Sequence, residues 1–272
     1  MEAGSEHATW TIFALIAICC GAILLQIRRA RHGRELYVRR LPGLEAVDDA
    51  VGRATEMGRP IMFCAGLGGI DIITLTSLAV GQYVAKEAAK FGGRTILPVD
   101  GVQLFPVARE VLREAYIAGS EDGVASPDLA DVRYYPGGQF AWAMAVAGTI
   151  LREKCAANFF FGSYGAEALM LAEAGLMADS VQVAATPSEH QIPFFLVTCD
   201  YTLFGEEFYA AGAYISREPV MLGSLVGQDI GKIVFLAIVL LGAILAGVDA
   251  AVAQHFPGAG SPLEWYENLL RR

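Results

Sequence analysis

Two apolar runs, one near each end, set the first limit on how this chain can fold. Residues 9–27 (TWTIFALIAICCGAILLQI) carry no charge, and residues 233–248 (IVFLAIVLLGAILAGV) carry none either. A bilayer core takes about 20 apolar residues in a helix. The first run reaches that length, and the second reaches it when extended to residue 253. These runs account for a composition that is 54% hydrophobic and 18% charged, against about 25% charged residues in soluble domains. Two transmembrane helices are therefore expected.

The charges beside the first run set its orientation. The acidic and polar stretch MEAGSEH precedes it, and a basic run follows: Arg28, Arg29, Arg31 and Arg34, then Arg39 and Arg40. This order is the reverse of a cleaved signal peptide. Basic residues beside a span remain on the cytoplasmic side. The expected organisation is a short extracytoplasmic N-terminus (1–8), a transmembrane helix (9–27), and a basic juxtamembrane segment with a helix (28–59). A cytoplasmic domain (60–218), a connector (219–232), a second transmembrane helix (233–253) and an extracytoplasmic tail (254–272) follow. The protein is thus expected in the cell membrane, with the bilayer as its first partner.

Net charge is −9, which speaks against a nucleic-acid partner. The basic cluster at Arg28 could touch anionic headgroups; the plainer reading is a topology signal alone. The five cysteines form no C-x-x-C pair, so neither a zinc site nor a disulfide framework is expected.

The middle of the chain alternates between short apolar runs and helix-like periodicity. Strands are expected at 61–65, 95–99, 132–135, 157–161 and 181–184. Helices are expected at 44–57, 71–91, 104–118, 139–154 and 166–178. Strand–helix alternation gives a parallel sheet covered on both faces. The expected fold class is α/β, a Rossmann-like three-layer domain with a mostly parallel sheet of about five strands. Residues 121–131 form a polar loop. Residues 193–215 are apolar and aromatic, and are expected as two helices or one kinked helix.

The first strand runs into IMFCAGLGGID (61–71). Gly66 and Gly68 occupy the first two places of a G-x-G-x-x-G dinucleotide fingerprint, with Asp71 in the third. An aspartate there caps the helix, and its charge opposes a phosphate at the helix start. Asp100, after the second strand, stands where ribose hydroxyls are bound in dinucleotide folds, though farther along than the usual ~20 residues. The motif G-x-x-x-x-G-K-[ST] of a P-loop does not occur.

FGSYG (161–165) follows the fourth strand and partly matches the nucleophile elbow G-x-S-x-G, with Phe161 in the first glycine's place. Ser163 with His190 and an acid from Glu167, Asp179 or Glu189 would complete a hydrolase triad. The plainer reading is a glycine turn in which Ser163 caps a helix. Glu189 and His190 follow the fifth strand and could serve acid–base chemistry; a solvated loop is the plainer reading. Glu206 and Glu207 adjoin Gly205, and adjacent acids do not share a helix face. No metal site and no cofactor is assigned.

In open parallel sheets, ligands bind at the carboxyl ends of the strands. The residues that would line such a site are Gly66, Gly68, Gly69, Asp71, Asp100, Gln139, Ser163, Glu189 and His190. No catalytic set is complete, so a non-enzymatic role is expected. The leading expectation is a membrane-anchored, self-associating structural or organising protein, in contact with copies of itself or other membrane proteins. Apolar helices in the domain and the Gly242/Ala246 spacing in the second span motivate it. The alternatives are a membrane-tethered sensor that binds a nucleotide-like ligand, and a serine hydrolase-like enzyme.

Three long stretches, ELYVRRLPGLEAVDDAVGRATEMGRP, LREKCAANFFFGSYGAEALMLAEAG and QIPFFLVTCDYTLFGEEFYAAGAYISREPVMLGSLVGQD, resemble a bacterial family of membrane proteins known as a domain of unknown function. The resemblance covers nearly the whole chain. It implies a two-span membrane protein and brings no catalytic residue with it.

Overall fold

The computed structural model describes residues 10–32, 42–120, 129–216 and 219–255. Arg34, Arg39 and Arg40, most of the polar loop, and most of the two expected extracytoplasmic ends lie outside the described residues. The chain divides into two compact units, one comprising Arg39–Ser216 and the other the two flanking segments.

The central unit is built on six strands: β1 (Ile61–Gly66), β2 (Thr95–Val99), β3 (Val132–Tyr134), β4 (Ala157–Ser163), β5 (Val181–Thr186) and β6 (Tyr201–Phe204). Their order across the sheet is β3-β2-β1-β4-β5-β6. Every pairing is parallel. The helices are α2 (Pro42–Glu56), α3 (Ile72–Lys90), α4 (Leu104–Gly119), α5 (Gln139–Glu153), α6 (Glu167–Met177), α7 (Ile192–Thr198) and α8 (Glu206–Ser216). This is the doubly wound Rossmann order.

Two aromatic layers explain why the strands read as continuous apolar runs. Successive strand side chains point to opposite faces. Phe63, Phe159 and Phe161 stack on one face, where α3 packs with α2, α4 and α8. Gly81 of α3 sits on Phe63; a Cβ there would lie 2.8 Å from the ring. On the other face, Met62, Cys64, Ile96 and Phe160 meet Trp142, Val146 and Ile150 of α5, Leu171 of α6 and Phe195 of α7.

The lower rim is held by polar contacts. Arg59 donates from Nε to the Lys154 carbonyl at 2.5 Å, and from Nη2 to the carbonyls of Cys155 and Ala178 at 3.2 and 3.1 Å. These carbonyls terminate α5 and α6, where a helix leaves acceptors unsatisfied. Arg94 pairs with the buried Asp131 and with Glu153, and Arg133 donates to Glu153.

The sheet has six strands, not five. The extra strand, β6, lies inside the segment expected to be helical. Tyr201-Thr202-Leu203-Phe204 is β-branched and aromatic, which suits a strand, but it adjoins apolar helix residues with no proline or glycine before it. Asp200 marks its start by accepting the Gln182 backbone N–H at 2.8 Å. Gly205 (φ 54°) ends it in a left-handed turn. The edge position pairs β6 only with β5.

In the other unit, α1 (Trp10–Arg31) packs against α9 (Pro219–His255). The segment expected as a connector, 219–232, is the first part of α9. Over Pro219–Val248, α9 is long and apolar enough to cross a membrane, with a mean hydropathy of 2.5. Its contact with α1 is made by glycines. A Cβ on Gly223 would lie 2.5 Å from Ile27 Cα, and one on Gly227 would lie 2.6 Å from Ile23 Cα. A Cβ on Gly231 would lie 3.7 Å from Cys19 Sγ. Positions rising along α9 meet positions falling along α1, so the helices are antiparallel. Small residues let such backbones approach closely.

Candidate functional site

The strand order reverses between β1 and β4, and the sheet opens there. Gly66 has φ 80° and Gly162 has φ 139°, a region that glycine enters without steric cost. The register slips by one residue between Cys64 and Gly66, a β-bulge that turns the strand ends apart. A Cβ on Gly66 would lie 2.5 Å from the Ser163 carbonyl oxygen, and one on Gly162 would collide with the Ala65 carbonyl. The Leu67 N–H donates to the Ser163 carbonyl at 2.9 Å.

Beyond this crossing lies a cleft of about 670 Å³, lined by Leu67, Gly68 and Gly69 after β1, Asp100 and Gly101 after β2, Gln139 of α5, and Ser163, Tyr164 and Gly165 at the end of β4. The volume falls in the range of small-molecule sites, roughly 300–1,000 Å³. Gly69 lines the cleft and is exposed, with no described atom within 4 Å of a would-be Cβ. Gly68 is packed, its would-be Cβ 2.9 Å from Thr74 Oγ1.

Of the residues expected at this site, Gly68, Gly69, Asp100, Gln139 and Ser163 line the cleft, and Gly66 shapes its floor. Asp71 is the N-cap of α3, its Oδ1 accepting the Thr74 N–H at 2.7 Å. It therefore occupies one of the backbone donors that a phosphate at this helix start would use. Glu189 and His190 are exposed in a 3₁₀ turn after β5 and are not among the cleft-lining residues. The strand-end rule spread the expected site over every strand, whereas the crevice opens only where the sheet order reverses.

The hydrolase arrangement is not assembled from these residues. No histidine lines the cleft beside Ser163 among the described residues. Glu167 is fully buried. Its Oε1 accepts the Gly165 N–H at 2.6 Å, and its Oε2 accepts the Gln139 amide. It organises the turn and fixes Gln139 at the cleft wall. Sequence reasoning named Glu167 only as a triad acid and missed Tyr164, whose hydroxyl donates to the Cys64 carbonyl at 2.8 Å. The tyrosine's apolar neighbours gave no hint of that bond.

Asp100 has the least satisfied side chain in the cleft. Its Oδ1 is shielded from water and has no hydrogen-bond partner among the described residues. Burial pushes its pKa up, opposed by the backbone N–H groups of Asp100 and Gly101. A buried acceptor without a donor costs folding free energy.

The thiols of the α/β unit are poor nucleophiles. Burial pushes the Cys64 thiol well up, with Cys155 adding to it. Burial also pushes Cys155 and Cys199 up to about 12, where little thiolate forms at neutral pH. Among the described residues, no group of three or more His, Cys, Asp or Glu side chains is disposed to hold a metal ion.

An all-parallel 3-2-1-4-5-6 sheet with a glycine-lined crevice at its switch point defines a Rossmann-type α/β protein, here joined to a helix apolar enough to cross a membrane. The chain belongs to the family described as a domain of unknown function (DUF6754), which matches residues 3–257. No curated protein and no solved structure matches it.

Proposed function

We propose that this is a membrane-tethered protein whose α/β domain binds a small nucleotide-like ligand between the carboxyl ends of β1 and β4. One observation carries the reading: the reversal of strand order between β1 and β4 coincides with a cleft lined by Gly68, Gly69, Asp100, Gly101 and Ser163. A nucleotide and cofactor panel tests it by thermal unfolding in detergent. At least one compound should raise the midpoint of the wild type, and Gly69→Trp, which puts a bulky ring on a cleft-lining residue, should abolish the effect. No shift across the panel would count against the reading.

The bacterial, two-span organisation is part of the same proposal. The 22 residues of α1 rise about 33 Å at 1.5 Å each, enough to cross a bilayer core. Arg28, Arg29 and Arg31 lie in its last turn, which favours a cytoplasmic domain with both termini outside. Protease added to inside-out vesicles should digest residues 42–216, and protease added to right-side-out vesicles should leave them intact.

Self-association is a second reading, favoured by a separate observation. On α5 and α6, Phe140, Met144, Leu176 and Met177 are each more than half exposed. Large exposed apolar side chains of this kind are what an interaction surface would use. Native mass spectrometry in mild detergent tests this reading, and a monomer alone would remove it.

A further inference from the structure

The contact between α1 and α9 fixes which residues of the two helices lie at the same depth. Gly223 meets Ile27, Gly227 meets Ile23, and Gly231 meets Cys19. Each step up α9 is matched by an equal step down α1. That register puts Asp229 level with Gly21 and Lys232 level with Ile18. Ile18 is the midpoint of the uncharged run 9–27. Arg28 lies about 15 Å farther along, at 1.5 Å per residue.

The side chains of α1 at this depth suit lipid. Phe13, Ile16, Ile18, Leu24 and Leu25 are each more than half exposed. The two apolar runs are therefore out of step. A bilayer placed on residues 233–253 of α9 would end near Ala17 of α1 and leave Leu24 and Leu25 in water. Only residues 9–17 of the first run would then be immersed, about 14 Å of helix, too short to cross a bilayer core. A bilayer that α1 does cross must take in Asp229 and Lys232.

These two charges lie on the side of α9 turned away from the glycines that meet α1, as a 3.6-residue turn requires. They form an ion pair of 3.3 Å, and their side chains are 61% and 50% exposed. Leu225, four residues before Asp229, and Leu236, four residues after Lys232, continue the same stripe. Ionisable side chains at membrane depth face protein or a water-filled cavity rather than lipid.

The charges specify what covers them. Copies in one membrane share an orientation, so a twofold axis along the membrane normal sets two α9 helices side by side and parallel. Asp229 then stands within about 4.5 Å, measured along the axis, of the level of the partner's Lys232. The arrangement pairs opposite charges twice, where the low dielectric strengthens attraction.

We infer that α9 self-associates within the membrane through Asp229 and Lys232, each acid facing the partner's lysine. This rests on the reading of α1 as a second span.

Energy transfer between full chains labelled at the C-terminus, in vesicles of phosphatidylcholine and phosphatidylglycerol, tests it. Wild-type copies should transfer energy. Asp229→Lys alone and Lys232→Asp alone should each associate at least about tenfold more weakly, since each sets like charges face to face. An equimolar mixture of these two variants should recover the wild-type signal, because one copy then presents cations and the other anions. Asp229→Ala/Lys232→Ala, which inserts without charge, should also associate about tenfold more weakly. A monomeric wild type, a mixture of membrane-inserted variants that stays apart, or a double-alanine variant that associates like the wild type overturns the interface. Cys20 tests the reading beneath it. It is exposed on α1 next to Gly21, so a water-soluble maleimide should reach it only after detergent is added. Labelling in intact vesicles removes the second span and this inference with it. A protected Cys20 with failed association removes the interface alone.

Discussion

Gly66 and Ser163 approach so closely across β1 and β4 that a Cβ on the glycine would lie 2.5 Å from the serine's carbonyl oxygen. Gly66 also has φ 80°, so two independent constraints exclude a side chain there. Its glycine is needed for the fold itself, before any ligand. Gly66→Ala should cost about 1–3 kcal/mol from backbone strain alone, with the steric clash adding to it. For a domain of this size each kcal/mol lowers the unfolding midpoint by roughly 2–4 °C. Thermal denaturation followed by near-ultraviolet circular dichroism checks this; an unchanged midpoint would mean that the strand ends do not cross as described.

Asp100 gives a pH-dependent counterpart. Burial raises its folded-state pKa above the unfolded value. Such a group favours the folded state at low pH and loses that contribution as pH rises through the folded pKa. At neutral pH the ionised Asp100 therefore costs stability. Asp100→Asn should raise the unfolding midpoint at pH 7, and the gain should shrink as pH falls into the carboxylate range. A destabilised variant at neutral pH would contradict the shielded, unpaired oxygen.

Arg59 ties the ends of two helices to the start of β1 through three carbonyl acceptors. Removing the donors from partly buried carbonyls costs about 1–3 kcal/mol, so Arg59→Ala should lower the midpoint accordingly. Arg59→Lys should recover little of it, since an ammonium lacks the planar fork of a guanidinium. Full rescue by lysine would show that charge, not the forked geometry, matters.

The glycine face of α9 predicts a cross-link. A Cβ at position 231 would lie 3.7 Å from Cys19 Sγ, within reach of a disulfide after rotamer adjustment. Gly231→Cys should form an intramolecular bond with Cys19 on mild oxidation. It would be detected on a non-reducing gel after proteolysis between the helices and lost in Cys19→Ser. Gly247→Cys should not form it, because it lies about 24 Å farther along α9 than position 231, at 1.5 Å per residue. Equal cross-linking at both sites would contradict the antiparallel register.

Much of this architecture could be read in advance, and the misses share a cause. The first five strands are bounded by turns with glycine, proline or aspartate, and their apolar runs match the strands observed. β6 is missed because Tyr201-Thr202-Leu203-Phe204 lies between two short apolar helices and is defined by pairing with β5, a tertiary contact. Asp71 as a cap could be read from its place before an apolar helix. That Asp100 and Ser163 share a cleft while His190 stands apart could not, because it follows from the order of strands across the sheet. The glycines at 223, 227 and 231 stood in plain view at four-residue spacing.

The most direct test is a high-resolution structure of the protein extracted from its own membranes with its small molecules retained. The account predicts density for a compact ligand between Gly69, Asp100 and Ser163. Ordered water alone in that cleft, or a ligand bound at another edge of the sheet, would contradict it.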